Sequence, residues 1–442
     1  MGVETISEFF YRLRIDTHIG CSPGALRDVM HDLEKAILDT AEAWEQKSVA
    51  DGKKRSVIGA VDETFLQEMM LVFMDLPSGY LLFEKIADNR RYDTWQAFVA
   101  ARLADLGAVV QYLVSDRAKA LIKLAETGQE CLSVPDLFHI LHDLTKSYSL
   151  SIASRLKNAR KQLKKCQAYL GKNVENQQTQ ILAATKEEEV TLWENVLKSY
   201  REHLENLSLI VHPWHTSGLT SQNSKQVKDQ LRAEVDALEE LADTHELPEK
   251  EEILTKVRKQ LGALSAVVDF WWQGVWHDLQ QLALTPMLEH WVVELLLPLM
   301  YWQVQLSRTR CPRRKARILE ALELVRVRFE AHPVTQQMAP DVLADWQVWA
   351  AEHVKTFHRT SSAVEGRNGY LSQMQHNHRG LPKHRHKVWT VLHNFDCRAQ
   401  DGTTPAARFF GRSFPDLFET VLATIDDLPL PRQRKRAVAL SC

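Results

Sequence analysis

The sequence predicts an α/β protein: a mixed β-sheet core interrupted by a large all-helical insertion and preceded by a short helical N-terminus. Three observations carry this. Eight of the 17 glycines fall in residues 1–128 and five in 365–442, whereas only four interrupt the 236 residues between. That middle span is rich in Leu, Glu, Lys, Gln and Ala, and strong helix formers with few breakers dictate helix. From residue 56, by contrast, short β-branched and apolar runs alternate with Pro/Gly turns, the texture of strands. The chain accordingly divides into an N-terminal helical segment (1–55), the first part of the sheet core (56–144), the helical insertion (145–360), and the rest of the core with a basic tail (361–442).

Taken in order, residues 22–25 form a turn in which Ser22 caps a helix and Pro23 takes its first position. That helix, over 26–44, spaces Val29, Leu33, Ile37 and Ala41 for core packing. Residues 56–61 are a β-branched run that ends at Asp62. Residues 69–74 and 80–86 are apolar runs joined by Asp75-Leu-Pro-Ser-Gly79, punctuation for a hairpin. A helix over 94–106 leads to a buried strand over 108–114, closed by Ser115-Asp116. Helix returns over 117–125, a weaker strand covers 130–134, and Pro135 opens another helix. Within the insertion, 225–241 and 249–270 read as long amphipathic helices able to form a hairpin. The order strand, strand, strand, helix, strand, helix, strand, helix describes an antiparallel set feeding βαβ units. It is also the element order of the ribonuclease-H-like fold.

Composition narrows the class. The 442 residues are 45% hydrophobic and 25% charged, which excludes a disordered chain. With 55 Lys+Arg against 57 Asp+Glu the net charge is -2, so any nucleic-acid surface must be a local patch. Six scattered cysteines offer no zinc-ribbon or disulfide spacing. The N-terminus lacks the pattern of a signal peptide, and no apolar run is long enough to span a bilayer. A reducing, cytoplasmic setting is expected.

Two aspartates, Asp62 and Asp116, sit where strands end, and in the ribonuclease-H-like order those strands are neighbours. A third acid is needed to hold a pair of hard divalent ions, which take oxygen ligands. Glu365 is the best candidate: Ser361 can cap a helix that places Glu365 and Asn368 on one face. Glu63 and Asp75 are the nearest rival acids and are expected to point elsewhere or to cap the hairpin. Asp136 and His139, three residues apart, either support the metal ligands or stabilise a helix start through the dipole.

Several strings carry a resemblance. Val61-Asp-Glu-Thr-Phe65, Met74-Asp-Leu-Pro-Ser-Gly-Tyr80, Val114-Ser-Asp-Arg-Ala-Lys-Ala120 and Pro135-Asp-Leu-Phe-His139 resemble the catalytic core of bacterial DDE transposases. So do Ser361-Ser-Ala-Val-Glu-Gly-Arg-Asn368 and His393-Asn-Phe-Asp with Asp401-Gly-Thr-Thr-Pro-Ala406. The likeness runs from about 56 to 420, and the 249-residue gap from Asp116 to Glu365 suits the family's helical insertion. The resemblance implies that Asp62, Asp116 and Glu365 are the catalytic acids. They would hold two Mg²⁺ ions, or Mn²⁺, which clamp the attacking and leaving oxygens of a phosphoryl displacement. It implies DNA cleavage and strand transfer at transposon ends by a homo-oligomer. A complete member of that family carries a sizeable N-terminal DNA-binding module, whereas about 55 residues precede the first catalytic strand here, so the expectation is either a shortened form or recognition of ends through the helical block and basic C-terminus.

The C-terminal part is basic. Between His353 and Arg398, Lys and Arg number eight against two acids, and seven of the 18 histidines lie there. Arg367, Arg379, Lys383, Arg385 and Lys387 are the candidate phosphate contacts, with His376, His378, His384 and His386 interleaved. The tail Arg432-Gln-Arg-Lys-Arg436 adds four charges, and Lys157, Arg160, Lys161 and Lys164 line one helix. Five of the 12 tryptophans fall in residues 271–302, as core packing or as a platform for unpaired bases. Two other readings compete: a truncated or repurposed transposase that binds DNA without catalysis, and a ribonuclease-H-like nuclease without strand transfer.

Overall fold

The computed structural model describes residues 2–170, 177–216, 220–248, 251–378, 385–425 and 429–430. It has two compact units, one formed by residues 1–111 with 363–442, the other by 112–362. Among the described residues no helix is long and apolar enough to cross a membrane.

The first unit opens with α1 (Val3–Arg12) and α2 (Pro23–Val49). Ser22 caps α2 by accepting from the Ala25 N–H at 3.2 Å, with Pro23 at the first helical position. Three strands follow: β1 (Arg55–Phe65), β2 (Met69–Asp75) and β3 (Leu81–Ile86). They pair antiparallel, with Asp62 opposite Val72 and Phe65 opposite Met69. β1 therefore does not stop at Asp62. Its fully buried run ends at Val61, but the hairpin ladder carries it three residues further into partly exposed ground. An end inferred from hydrophobicity marks where the core stops, not where pairing stops.

The β2–β3 turn is built by Asp75. Its buried carboxylate accepts from the N–H groups of Ile58 and Ser78, both at 3.1 Å, and from the Ser78 hydroxyl. Gly79 adopts φ 74°, a left-handed conformation that suits glycine. The acid caps the hairpin, as expected. After α3 (Tyr92–Leu106) the chain enters β4 (Ala108–Ser115), and the unit boundary falls inside that strand. The five-stranded sheet has the order β3-β2-β1-β4-β5.

In the second unit, the end of β4 pairs in parallel with β5 (Leu132–Pro135) across α4 (Lys119–Lys123) and a π-turn. Pro135 closes β5 instead of opening a helix; Leu137 begins α5 (Leu137–Leu170). The unit continues as α6 (Gln177–Ile210), α7 (Ser224–Thr244), α8 (Glu251–Gln281), α9 (Pro286–Trp291), α10 (Leu297–Arg308), α11 (Pro312–Ala331), α12 (Pro333–Gln337) and α13 (Pro340–Val354). Its core is aromatic. Trp214, Trp271, Trp272, Tyr301 and Trp302 are buried, and the Trp214 and Trp272 rings lie 5.1 Å apart. The indole N–H groups of Trp271 and Trp272 donate to the carbonyls of His353 and Gln222. Of the five tryptophans of 271–302, Trp271, Trp272, Trp291 and Trp302 are core packing, while Trp276 is exposed.

The chain then supplies the first unit with α14 (Ser362–His378), α15 (Arg385–Phe395), α16 (Pro405–Phe410) and α17 (Leu417–Leu422). α15 lies against β3, where Asn394 exchanges two hydrogen bonds with the backbone of Leu81, at 2.8 and 2.9 Å.

Candidate functional site

In the first unit the sequence-selected acids come with partners. Asp62 is half-buried on β1, and its Oδ2 accepts from Asn368 Nδ2 at 2.8 Å. Asn368 is buried on α14, one helical turn after Glu365, so both side chains leave the same face. This bond ties the helix that carries Glu365 to the strand that carries Asp62. Asn368 Oδ1 is buried and has no hydrogen-bond partner. A buried acceptor left unsatisfied costs about 1–3 kcal/mol, so such atoms ask for an explanation. A hard cation takes carboxylate and amide oxygens, and Asp62, Asn368 and Glu365 are an oxygen-only set that fits Mg²⁺ or Mn²⁺ chemically. Among the described residues, no three His, Cys, Asp or Glu side chains stand together as a metal-holding group.

Glu63, the neighbour of Asp62, pairs with Arg90 at 2.6 Å. On β3, Glu84 is fully buried. It receives both fork nitrogens of Arg367, at 2.7 and 2.9 Å, and the Thr390 hydroxyl at 2.6 Å. The Arg367 side chain is 5% exposed, which removes it from the phosphate-contacting set. Its partner lies 283 residues away in sequence, so no local pattern announces the pair. Arg385 is similarly engaged, donating to Glu34 of α2 at 2.7 Å. Lys387 is exposed and His386 is buried. Arg379, Lys383, His384 and the tail 432–436 lie outside the described residues. His393 donates to the Gly79 carbonyl at 2.9 Å, and burial pushes its pKa down.

In the second unit, Asp116 follows β4 and is exposed. Its Oδ1 accepts from the Ala118 N–H at 2.8 Å, closing a turn in which Arg117 takes φ 62°. A left-handed non-glycine residue costs on the order of 1 kcal/mol or more, and such strain gathers at functional sites. Asp136 is 1% exposed and follows β5, its own N–H donating to the Ser115 carbonyl at 2.8 Å. It accepts from the Phe138 N–H at 2.8 Å, capping α5, and holds His139 Nδ1 at 2.8 Å. The Ser361 hydroxyl donates to the same carboxylate. Ser361 thus serves Asp136 as a donor.

Sequence reading missed Glu84 and Thr390. A Glu inside an otherwise apolar strand was the available signal, since a buried charge requires a partner.

A family described as "Family of unknown function (DUF6399)" matches residues 292–437, about a third of the chain. That stretch covers α10 to α17 and includes Glu365 and Asn368. No curated protein matches the chain.

Proposed function

We propose that the protein is a DDE-type transposase on a ribonuclease-H-like core, catalysing metal-dependent DNA strand cleavage and strand transfer in the cytoplasm. The observation that carries this reading is the hydrogen bond between Asn368 and Asp62. It joins the first-strand acid to the helix of Glu365, the two elements that the sequence resemblance pairs. The strand order β3-β2-β1-β4-β5 supports the core assignment.

By the resemblance Asp62, Asp116 and Glu365 would hold the metal, with Asn368 Oδ1 as a further oxygen donor. Mg²⁺ held there would supply Lewis acidity for a phosphoryl displacement. The protein's share is positional. Asn368 fixes the orientation of the Asp62 carboxylate. Asp136 fixes the turn after β5 and holds His139 in one tautomer, its Nδ1–H donating to the carboxylate. Transposon-end and target DNA are the substrates, and a homo-oligomer holds the paired ends.

The test is strand nicking and joining of duplex DNA in Mg²⁺ or Mn²⁺. Asp62→Asn, Asp116→Asn and Glu365→Gln should each abolish both products while DNA binding persists. Asn368→Ala should lose about 10–100-fold, the usual cost of removing a group that orients a metal ligand. Nicking without joined strands would select the nuclease reading. Binding with neither product in the wild type would select the non-catalytic one.

A further inference from the structure

Residues 308–317, Arg-Thr-Arg-Cys-Pro-Arg-Arg-Lys-Ala-Arg, hold six cations in ten positions and no acid. They form the corner between the end of α10 and the first turns of α11 in the second unit. The six divide by what they touch. Arg313, Arg314 and Arg317 face the end of α6: Arg313 lies 3.6 Å from Glu205, Arg314 donates to the Ser208 hydroxyl at 2.7 Å, and Arg317 donates to Asn206. These dock α11 on α6. Arg310 and Lys315 are exposed, Arg308 keeps part of its surface in water while its charge also reaches inward to His358, and among the described residues no side-chain hydrogen bond or carboxylate meets the three.

Stability does not account for this second set. Three unpaired like charges on one corner repel one another, and the α11 N-terminus adds a partial positive charge with no acid in its first turn. A helix start is ordinarily furnished with Asp, Glu or Ser, yet here it carries Arg313, Arg314 and Lys315 behind Cys311. The electrostatic character of the corner registers on that cysteine. The Arg314 N–H and guanidinium lower the Cys311 thiol pKa despite partial burial.

We propose that the α10–α11 corner is a contact surface for the phosphate backbone of duplex DNA, held by Arg308, Arg310 and Lys315. The choice of DNA as the polyanion rests on the functional reading above; the surface itself rests on charge and exposure. Arg367 and Arg385 are engaged in ion pairs inside the first unit, which leaves the corner as one of two clusters of exposed cations without a carboxylate partner among the described residues, the other being Lys157, Lys161, Lys164 and Lys165 on α5. The contacts are to backbone and not to bases, so binding is indifferent to sequence and strongly salt-dependent.

The experiment uses the full chain carrying Asp116→Asn, without divalent metal, and a labelled duplex of arbitrary sequence titrated at several salt concentrations. The triple variant R308A/R310A/K315A should bind more weakly and lose up to about three contacts' worth of salt slope, about 0.9 each. A K157A/K161A/K164A control on α5 should keep the slope. DNA should also slow alkylation of Cys311 by iodoacetamide, read by peptide mass spectrometry, because a nearby phosphate disfavours the thiolate. An unchanged slope in the triple variant, with the protein folded by circular dichroism, overturns the proposal. So does loss of binding to phosphatidylserine vesicles with DNA binding intact. Failure of the catalytic reading looks different: a chain that cuts no DNA can still show the corner's salt slope, and one that cuts DNA can lack it.

Discussion

The Arg367 guanidinium donates two hydrogen bonds to the Glu84 carboxylate in a space closed to water, with Thr390 donating to a further lone pair. Removing one partner strands the other charge. Arg367→Ala should therefore lower the unfolding free energy by about 3–5 kcal/mol, measured by urea denaturation. An exposed phosphate-contacting arginine would cost no more than about 0.5 kcal/mol and would alter the salt slope instead. A near-neutral Arg367→Ala would return this residue to the DNA-binding set. Arg367 also shows what a linear reading misses. It sits in a basic segment beside Glu365 and Asn368, so its type and neighbours point to DNA, while the carboxylate that claims it belongs to β3. Asn368 was legible because it shares a helix face with Glu365 at three-residue spacing. Its bond to Asp62 was not, because it depends on where the strand and helix meet.

At the scale of elements, α14 carries the candidate chemistry on a helix weakened by two glycines. Nothing lies within 4 Å of a Cβ built at Gly366 or Gly369. Replacing Gly369 with Ala should raise stability by about 0.8–1 kcal/mol through helix propensity. The check is the thermal midpoint alongside DNA cleavage. A stabilised variant with full activity would mean that this face of α14 meets no substrate; a stabilised, slower one places DNA over it. Strands and long helices were readable because period and breakers are local properties. The end of β1 was misread for a physical reason: its apolar run stops at Val61, and the pairing of Glu63, Thr64 and Phe65 with β2 leaves no hydrophobic trace. The π-turn after α4 left no trace either.

Over the whole molecule, buried histidines make stability a function of pH. His212 is wholly buried. Its Nδ1 meets the Tyr301 hydroxyl, its Nε2 has no partner, and burial beside Arg359 drives its pKa well below the ordinary value. His358 is pushed down to about 3 by burial and the Arg308 charge. Both are neutral in the fold and take up protons on unfolding near pH 6.5. Between those values the unfolded state binds more protons, so stability is complete above about pH 6.5 and is lost as pH falls. Urea midpoints from pH 7.5 to 5 should decline, and less steeply in His212→Asn, which does not titrate. Equal slopes for the two proteins would show that His212 is not protonated on unfolding.

The first unit is made of two stretches separated by 251 residues, and its ties are correspondingly distant: Asp62 to Asn368 spans 306 positions and Leu81 to Asn394 spans 313. On a ribosome adding about 5–20 residues per second, β1 to β3 wait roughly 15–60 s for α14 and α15 to be made. The buried faces of Leu81, Leu82 and Phe83 have no α15 to cover them during that interval. The continuous second unit can complete first. A pause in translation, or a chaperone that shields the early sheet, thus becomes part of how this chain reaches its native state.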